Sequence, residues 1–140
     1  MGFNEKLYWS IIILTIIVAA WYADAAIAFA ANSTTAIEDF SAYLWWAMGI
    51  YVVAIIVGTI LVAIFDKDKN KETYDERDNI IDMRSERIAS YAQGFGLFGI
   101  LVMVMMDYSA FALANSILGV MVFSTLVGFG LRLFHYRRRA

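Results

Sequence analysis

The sequence predicts an all-α integral membrane protein: a four-transmembrane-helix bundle with both termini cytoplasmic and the third helix extended into the cytoplasm. Three observations carry that prediction. Hydrophobic residues make up 61% of the 140, aromatic residues 16%, and the mean hydropathy is +0.65, a composition foreign to a soluble domain of this length. Four apolar runs, Leu7 to Ala31, Ala42 to Phe65, Ala89 to Met106 and Phe111 to Phe134, approach or exceed the ~20 residues that carry a helix across a bilayer. None of them alternates with period two, as a barrel strand would. All eleven Lys and Arg residues fall in the N-terminus, the middle connector and the C-terminal end, and none in the first or third connector. By the positive-inside rule, both termini and the middle segment then lie on the cytoplasmic side of the plasma or inner membrane. Residues 1–140 read as a single membrane domain, with a cytoplasmic linker and charged helix over 66–88.

In chain order, Tyr8 and Trp9 open the first span as interfacial aromatics do. A short basic lead followed by an apolar run and Ala28-Phe29-Ala30 also has the outline of a cleavable signal peptide, but the run is long and carries Trp21, Tyr22 and Asp24. The connector Asn32 to Asp39 is polar and acidic, and its Asn32-Ser33-Thr34 matches a glycosylation sequon. Tyr43, Trp45 and Trp46 mark the start of the second span and Phe65 its end. Lys67, Lys69 and Lys71 alternate with acids in a solvated connector. Thr73-x-x-Glu76 then has the form of a capping box. With no proline or glycine before Gly94, one continuous helix is expected from about Asp75 through Met106. Asp107-Tyr108-Ser109 supplies a tight turn, and the fourth span ends at Arg132 and His135-Tyr136-Arg137-Arg138-Arg139.

The charged helix is where a function is to be sought. At ~100° per residue, Asp75, Asp78, Asp82 and Glu86 share an arc of roughly 80°, with Arg77, Arg84 and Arg87 on the other side. Like charges four residues apart, as in Asp78/Asp82 and Asp82/Glu86, each cost an isolated helix a few tenths of a kcal/mol, so a cation should face them. The candidates are the chain's own Arg132 and Arg137, Arg138 and Arg139, which an antiparallel neighbour would bring close, a divalent cation, or a basic partner. The arginines of the other side could hold anionic lipid headgroups.

Asp75-Glu76-Arg77-Asp78, with Ile81 and then Arg84-Ser85 before a span, resembles a small family of uncharacterised prokaryotic membrane proteins carrying D-E-R-x-x-x-I and a basic-small pair ahead of a transmembrane helix. The resemblance covers about a dozen residues and the helical layout. It implies a protein of four or fewer spans and a functional unit in this stretch, and adds no chemistry.

Other constellations are weaker. Asp24 is the only carboxylate inside a span, and an intramembrane acid is by default an ion or proton site unless it is hydrated near an interface. Gly94-Phe95-Gly96-Leu97-Phe98-Gly99 spells G-x-G-x-x-G, but the dinucleotide fingerprint needs a strand before it and free N–H groups after it. Inside an apolar helix, close packing explains those glycines better. Small residues also recur at four-residue spacing: Ala19/Ala23, Ala54/Gly58, Ser90/Gly94, Ala92/Gly96 and Ser124/Gly128. Met48, Met103, Met105, Met106 and Met121 could attract a soft metal, yet adaptable packing accounts for them. Trp21, Tyr22, Tyr43, Trp45, Trp46 and Tyr51 could line a quinone or lipid pocket, though an interfacial belt explains most of them. With no cysteine and one histidine, His135, the sequence points to no catalytic residues, metal site or cofactor. The expected function is a non-enzymatic accessory, regulatory or interaction membrane protein. Its expected partners are the bilayer, a second copy or a membrane-complex subunit, and not nucleic acid. The alternative is a small oligomeric ion- or proton-coupled transporter or channel using Asp24.

Overall fold

The computed structural model of the chain describes residues 3–32, 37–65 and 76–137, with the side chains of Phe3, Asn32, Ile37, Asp39, Glu76, Arg77 and Asp78 not among them. Four helices account for these residues: α1 (Phe3–Asn32), α2 (Ile37–Phe65), α3 (Glu76–Met105) and α4 (Ala110–Arg137). Each is long and apolar enough to cross a membrane. At 28 to 30 residues they measure ~42–45 Å, longer than the ~30 Å hydrocarbon layer. Helix continues beyond the apolar runs because its backbone bonds are internal and ignore where the lipid stops.

The chain runs up-down-up-down. Phe29 near the end of α1 meets Phe40 near the start of α2 and Phe111 near the start of α4, while Glu5 and Trp9 of α1 meet Arg137 at the end of α4. Phe3 and Arg137 thus lie at one end, here the terminal end, and Asn32, Ile37 and the α3–α4 turn at the other, the hairpin end. α3 packs on α4, α4 on α1, and α1 on α2, with a slight α2–α4 approach. Among the described residues α2 and α3 do not pack together, nor do α1 and α3, so the lateral order is α3, α4, α1, α2.

In lipid no hydrophobic force pushes helix against helix, and close backbone approach with side-chain hydrogen bonds must do it. The glycines show where this happens. A Cβ at Gly58 would run into Leu14 of α1, one at Gly96 would sit 2.6 Å from both methyls of Val120 on α4, and one at Gly128 would lie 3.2 Å from Ala89 on α3. Three of the five small-residue pairs are therefore spent on contacts within the chain. Gly96 alone of the G-x-G-x-x-G glycines packs this way; Gly94 and Gly99 face open space within helical backbone. The hairpin end is sealed by aromatic rings: Phe40 is fully buried among Tyr22, Phe29, Tyr43 and Phe111, at centroid distances of 4.9 to 5.8 Å. Nearby, the Tyr22 hydroxyl donates to Asn115 Oδ1 at 2.9 Å, tying α1 to α4.

The α3–α4 turn has a defined stop and start. Tyr108 N–H reaches back to the Met103 carbonyl at 3.2 Å and Asp107 N–H to the Val104 carbonyl at 3.1 Å, the paired bonds of a Schellman cap. Asp107 takes the left-handed position at φ 59°. Ser109 then caps α4, its Oγ accepting from Ala112 N–H at 3.3 Å. Replacing Asp107 with glycine should stabilise the protein by up to ~1 kcal/mol, since glycine adopts this backbone without penalty. Ser109→Ala should cost ~1 kcal/mol. Reversible unfolding in mixed micelles measures both, and the predicted signs are opposite.

Candidate functional site

At the terminal end, Asp82 and Glu86 of α3 converge on Arg132. It stands on α4 four residues beyond Gly128, whose lack of a side chain brings α3 close. Arg132 Nε lies 3.4 Å from Asp82 Oδ1 and its Nη2 3.7 Å from Glu86 Oε2. From the other side of α4, the Tyr8 hydroxyl of α1 donates to the same Asp82 carboxylate, at 3.2 and 3.4 Å to its two oxygens. The Arg132 guanidinium also lies 5.0 Å from the Phe129 ring centre and 5.7 Å from that of Tyr8, within cation–π range. Arg132 and Asp82 are under one-fifth exposed, whereas Glu86 is 73% exposed. The Arg132–Asp82 pair is therefore the strong member of the cluster, and Glu86 stands at its wet edge.

Of the cations that could have faced the acidic stripe, Arg132 takes Asp82 and Glu86, and Arg137 goes elsewhere. Arg137 Nε lies 3.6 Å from Glu5 Oε1 on α1, and its guanidinium 5.7 Å from the Trp9 ring. Asp75, Arg138 and Arg139, the side chains of Arg77 and Asp78, and the Thr73 end of the capping box lie outside the described residues. The buried seam of α3 runs through Ile81, fully buried Ser85, half-buried Ala89 and Ala92, half-buried Gly96 and Ile100. It passes between the acids and the arginines, which is why Asp82 is half-buried while Arg84 and Arg87 are exposed. Ile80 and Ile88 are exposed as well. Ser85, the small member of the Arg84-Ser85 pair, sits on this seam, where a larger side chain would hold α4 away.

Tyr8 was legible in the sequence only as an interfacial aromatic. Its role as donor to Asp82 could not be found there, because 74 residues separate the two. Asp24 is exposed on α1, and among the described residues no hydrogen bond or ion pair reaches it. Trp45 and Trp46 are 73% and 70% exposed, and Met48, Met105, Met106 and Met121 are exposed too. The described His, Cys, Asp and Glu residues form no group of three able to hold a metal ion.

Two grooves flank α4. Towards the hairpin end, Leu44, Trp45 and Met48 of α2 face Ala114, Ile117 and Leu118 of α4 across an apolar groove of about 580 Å³. Towards the terminal end, Glu86, Ser90 and Gln93 of α3 face Thr125, Phe129 and Arg132 of α4 across a more polar groove of about 320 Å³. A third, almost wholly apolar hollow lies along Trp46, Ile50 and Val53 on the outer side of α2. Asp24 lines none of the three.

Comparison with protein-family models, with curated proteins and with solved structures finds no match to this chain. The likeness carried by Asp75 to Ser85 therefore stands on those residues alone.

The cluster predicts unequal costs. Arg132→Gln leaves a half-buried carboxylate without its cation and should destabilise the protein by ~2–4 kcal/mol. Arg137→Gln, at a pair whose arginine is 64% exposed, should cost under ~1 kcal/mol. Unfolding of the two variants in mixed micelles compares them directly, and equal losses would show that Arg132 is not the hub.

Proposed function

We propose that this chain is a non-enzymatic accessory, regulatory or interaction protein of the cytoplasmic membrane. In this reading both termini are inside, and the exposed side of the α3 N-terminal segment engages a membrane-complex partner or a second copy. One observation supports it above others. Arg84 and Arg87, one turn apart and both exposed, have no hydrogen bond or ion pair with any described residue, while Asp82 and Glu86 are held by Arg132. Of the acids that the sequence offered for a partner, the two whose side chains are described, Asp82 and Glu86, are engaged within the chain. Arg84 and Arg87 are the described charges of this segment left to face one.

Two guanidinium groups beside the start of an apolar run sit where a membrane presents its headgroups. Anionic lipid would contribute ~1 kcal/mol for each of them. A carboxylate of a neighbouring subunit at the same level would contribute similarly and add direction. The distribution of Lys and Arg supports placing this end in the cytoplasm. The transporter reading has less behind it, since Asp24 opens onto none of the grooves described.

Charge reversal separates the two sides of the helix. Arg84→Glu with Arg87→Glu should remove what co-purifies after mild detergent extraction while leaving thermal stability within ~0.5 kcal/mol, as for surface changes generally. Asp82→Lys should instead lower stability through loss of the Arg132 pair. Retention of an unchanged set of co-purifying proteins by the double arginine variant would remove the basis of this reading.

A further inference from the structure

Small residues form the floor of the polar groove between α3 and α4. The helices touch where a Cβ at Gly128 would lie 3.2 Å from Ala89, and beside that contact the groove opens to about 320 Å³, the size of a small-ligand cleft. At ~100° per residue, Glu86, Ser90 and Gln93 share about 60° of α3, and Thr125 and Arg132 face them from α4. Depth sorts these groups. Glu86 and Arg132 stand together at the mouth, near the terminal-end margin of the apolar runs, and Gln93 lies about 10 Å further in along α3. The Ser124 and Thr125 hydroxyls donate to the Met121 carbonyl at 3.0 and 2.8 Å, so they offer the groove only acceptor oxygens. Ser90 and Gln93 make no hydrogen bond with any described residue, so they offer donors.

Charge narrows what could lie there. Arg132 sets one positive charge against the two negative ones of Asp82 and Glu86, so a plain anion meets net repulsion and a ligand must bring a cation of its own. Glu86 is 73% exposed and meets Arg132 through Oε2, which leaves Oε1 to accept from an ammonium. Arg132 reaches its two acids at 3.4 and 3.7 Å, beyond the ~2.7–2.9 Å of a charge-assisted hydrogen bond. With five N–H donors on a guanidinium, some remain for a phosphate oxygen.

We propose that this groove holds the head and ester region of one zwitterionic aminophospholipid. Its primary ammonium meets Glu86, its phosphate Arg132, and an ester carbonyl the Gln93 amide or the Ser90 hydroxyl. The groove carries its charges at the mouth and its neutral donors within, the order in which such a lipid presents ammonium, phosphate and esters from water towards hydrocarbon. The length agrees as well. The interfacial layer is ~5–8 Å deep on each side of the hydrocarbon, so the about 10 Å from Glu86 to Gln93 ends at the ester level, well short of the mid-plane. The site is separate from the Arg84 and Arg87 surface and does not depend on it.

Native mass spectrometry of the purified full chain in neutral detergent tests the site, with phosphatidylethanolamine, phosphatidylcholine and phosphatidylglycerol of the same acyl chains supplied in equal amounts. Phosphatidylethanolamine should be retained about tenfold more than phosphatidylcholine, whose trimethylammonium has no N–H, a ratio within the range of one hydrogen bond to a charged group. It should also exceed phosphatidylglycerol, which brings the phosphate without the ammonium. Glu86→Gln should collapse the first ratio towards one and raise retention of phosphatidylglycerol. Gln93→Leu should lower phosphatidylethanolamine and phosphatidylcholine alike, by about fivefold, and leave their ratio intact. Ser90→Leu, which fills the groove, should displace both. Circular dichroism checks that each variant is folded, and Glu86→Gln, at the exposed edge, decides the matter even if Ser90→Leu is not. Four results would overturn the proposal: no lipid retained, equal retention of phosphatidylethanolamine and phosphatidylcholine, greater retention of phosphatidylglycerol than of either, or a ratio that Glu86→Gln does not move. Retention unaltered by both Gln93→Leu and Ser90→Leu would place the lipid elsewhere and overturn it equally.

Discussion

The terminal end of this protein depends on one guanidinium. α1 and α3 do not pack on each other, yet Arg132 of α4 pairs with Asp82 of α3 and lies against Tyr8 of α1, and Tyr8 completes the circuit by donating to Asp82. Three helices are therefore fixed in register by one arginine, one carboxylate and one hydroxyl. Such a triad has little value in water, where solvent competes for every member. Near the lipid its worth rises, because the alternative for each group is to stay unpaired in a medium of low dielectric. At the hairpin end a different set of three helices, α1, α2 and α4, is joined by Phe40 and its ring neighbours with Tyr22 and Asn115. Between these two clamps the helices need only small residues to lie close, and Gly58, Gly96 and Gly128 provide them.

This arrangement makes α4 the spine and leaves α2 and α3 as flanks. α4 touches all three other helices, while α2 and α3 remain apart. The consequence is that the outward sides of α2 and α3 carry most of the exposed large apolar side chains, from Trp45, Trp46 and Phe65 on one to Tyr91, Phe95 and Phe98 on the other. For α2 that surface is mostly apolar, and its exposed Thr59 hydroxyl donates to the Ile55 carbonyl at 2.8 Å. For α3 it changes character along its length, from Arg84 and Arg87 through Ser90 and Gln93 to Leu101 and Met105.

How much of this was legible in the sequence depends on the range of the force concerned. The four spans were, since hydropathy over ~20 residues is a local property. So was the uninterrupted run from Glu76 to Met105, because no glycine or proline precedes Gly94 and the helix-internal bonds of α3 need no partner. The antiparallel pairing of α3 with α4 followed from the short turn. The identity of the cation at Asp82 was open among four arginines, and only the registry set by Gly128 against Ala89 puts Arg132 there rather than Arg137. Tyr8, which reads as one more interfacial ring, and the separation of α2 from α3 were not legible at all. Both depend on the lateral order of helices, which hydropathy and connector length do not encode.

Exposure carries a different meaning on each polar side chain left outside the packed seam, and depth decides which. Glu86 and Arg87 stand near the end of the apolar run, where water and headgroups reach them, so their exposure alone demands nothing. Asp24, about 10 Å from the Ala31 end of its span, is near enough to the opposite surface for hydration and can remain unpaired at modest cost. Gln93 lies about 9 Å in from Arg87 and about 18 Å from Met105 at the other end, and it lines the groove that α3 shares with Thr125 and Arg132 of α4. The same amide on a soluble helix would be unremarkable. Here its surroundings are the groove it shares with Glu86, Thr125 and Arg132, so its exposure is to polar side chains as well as to lipid.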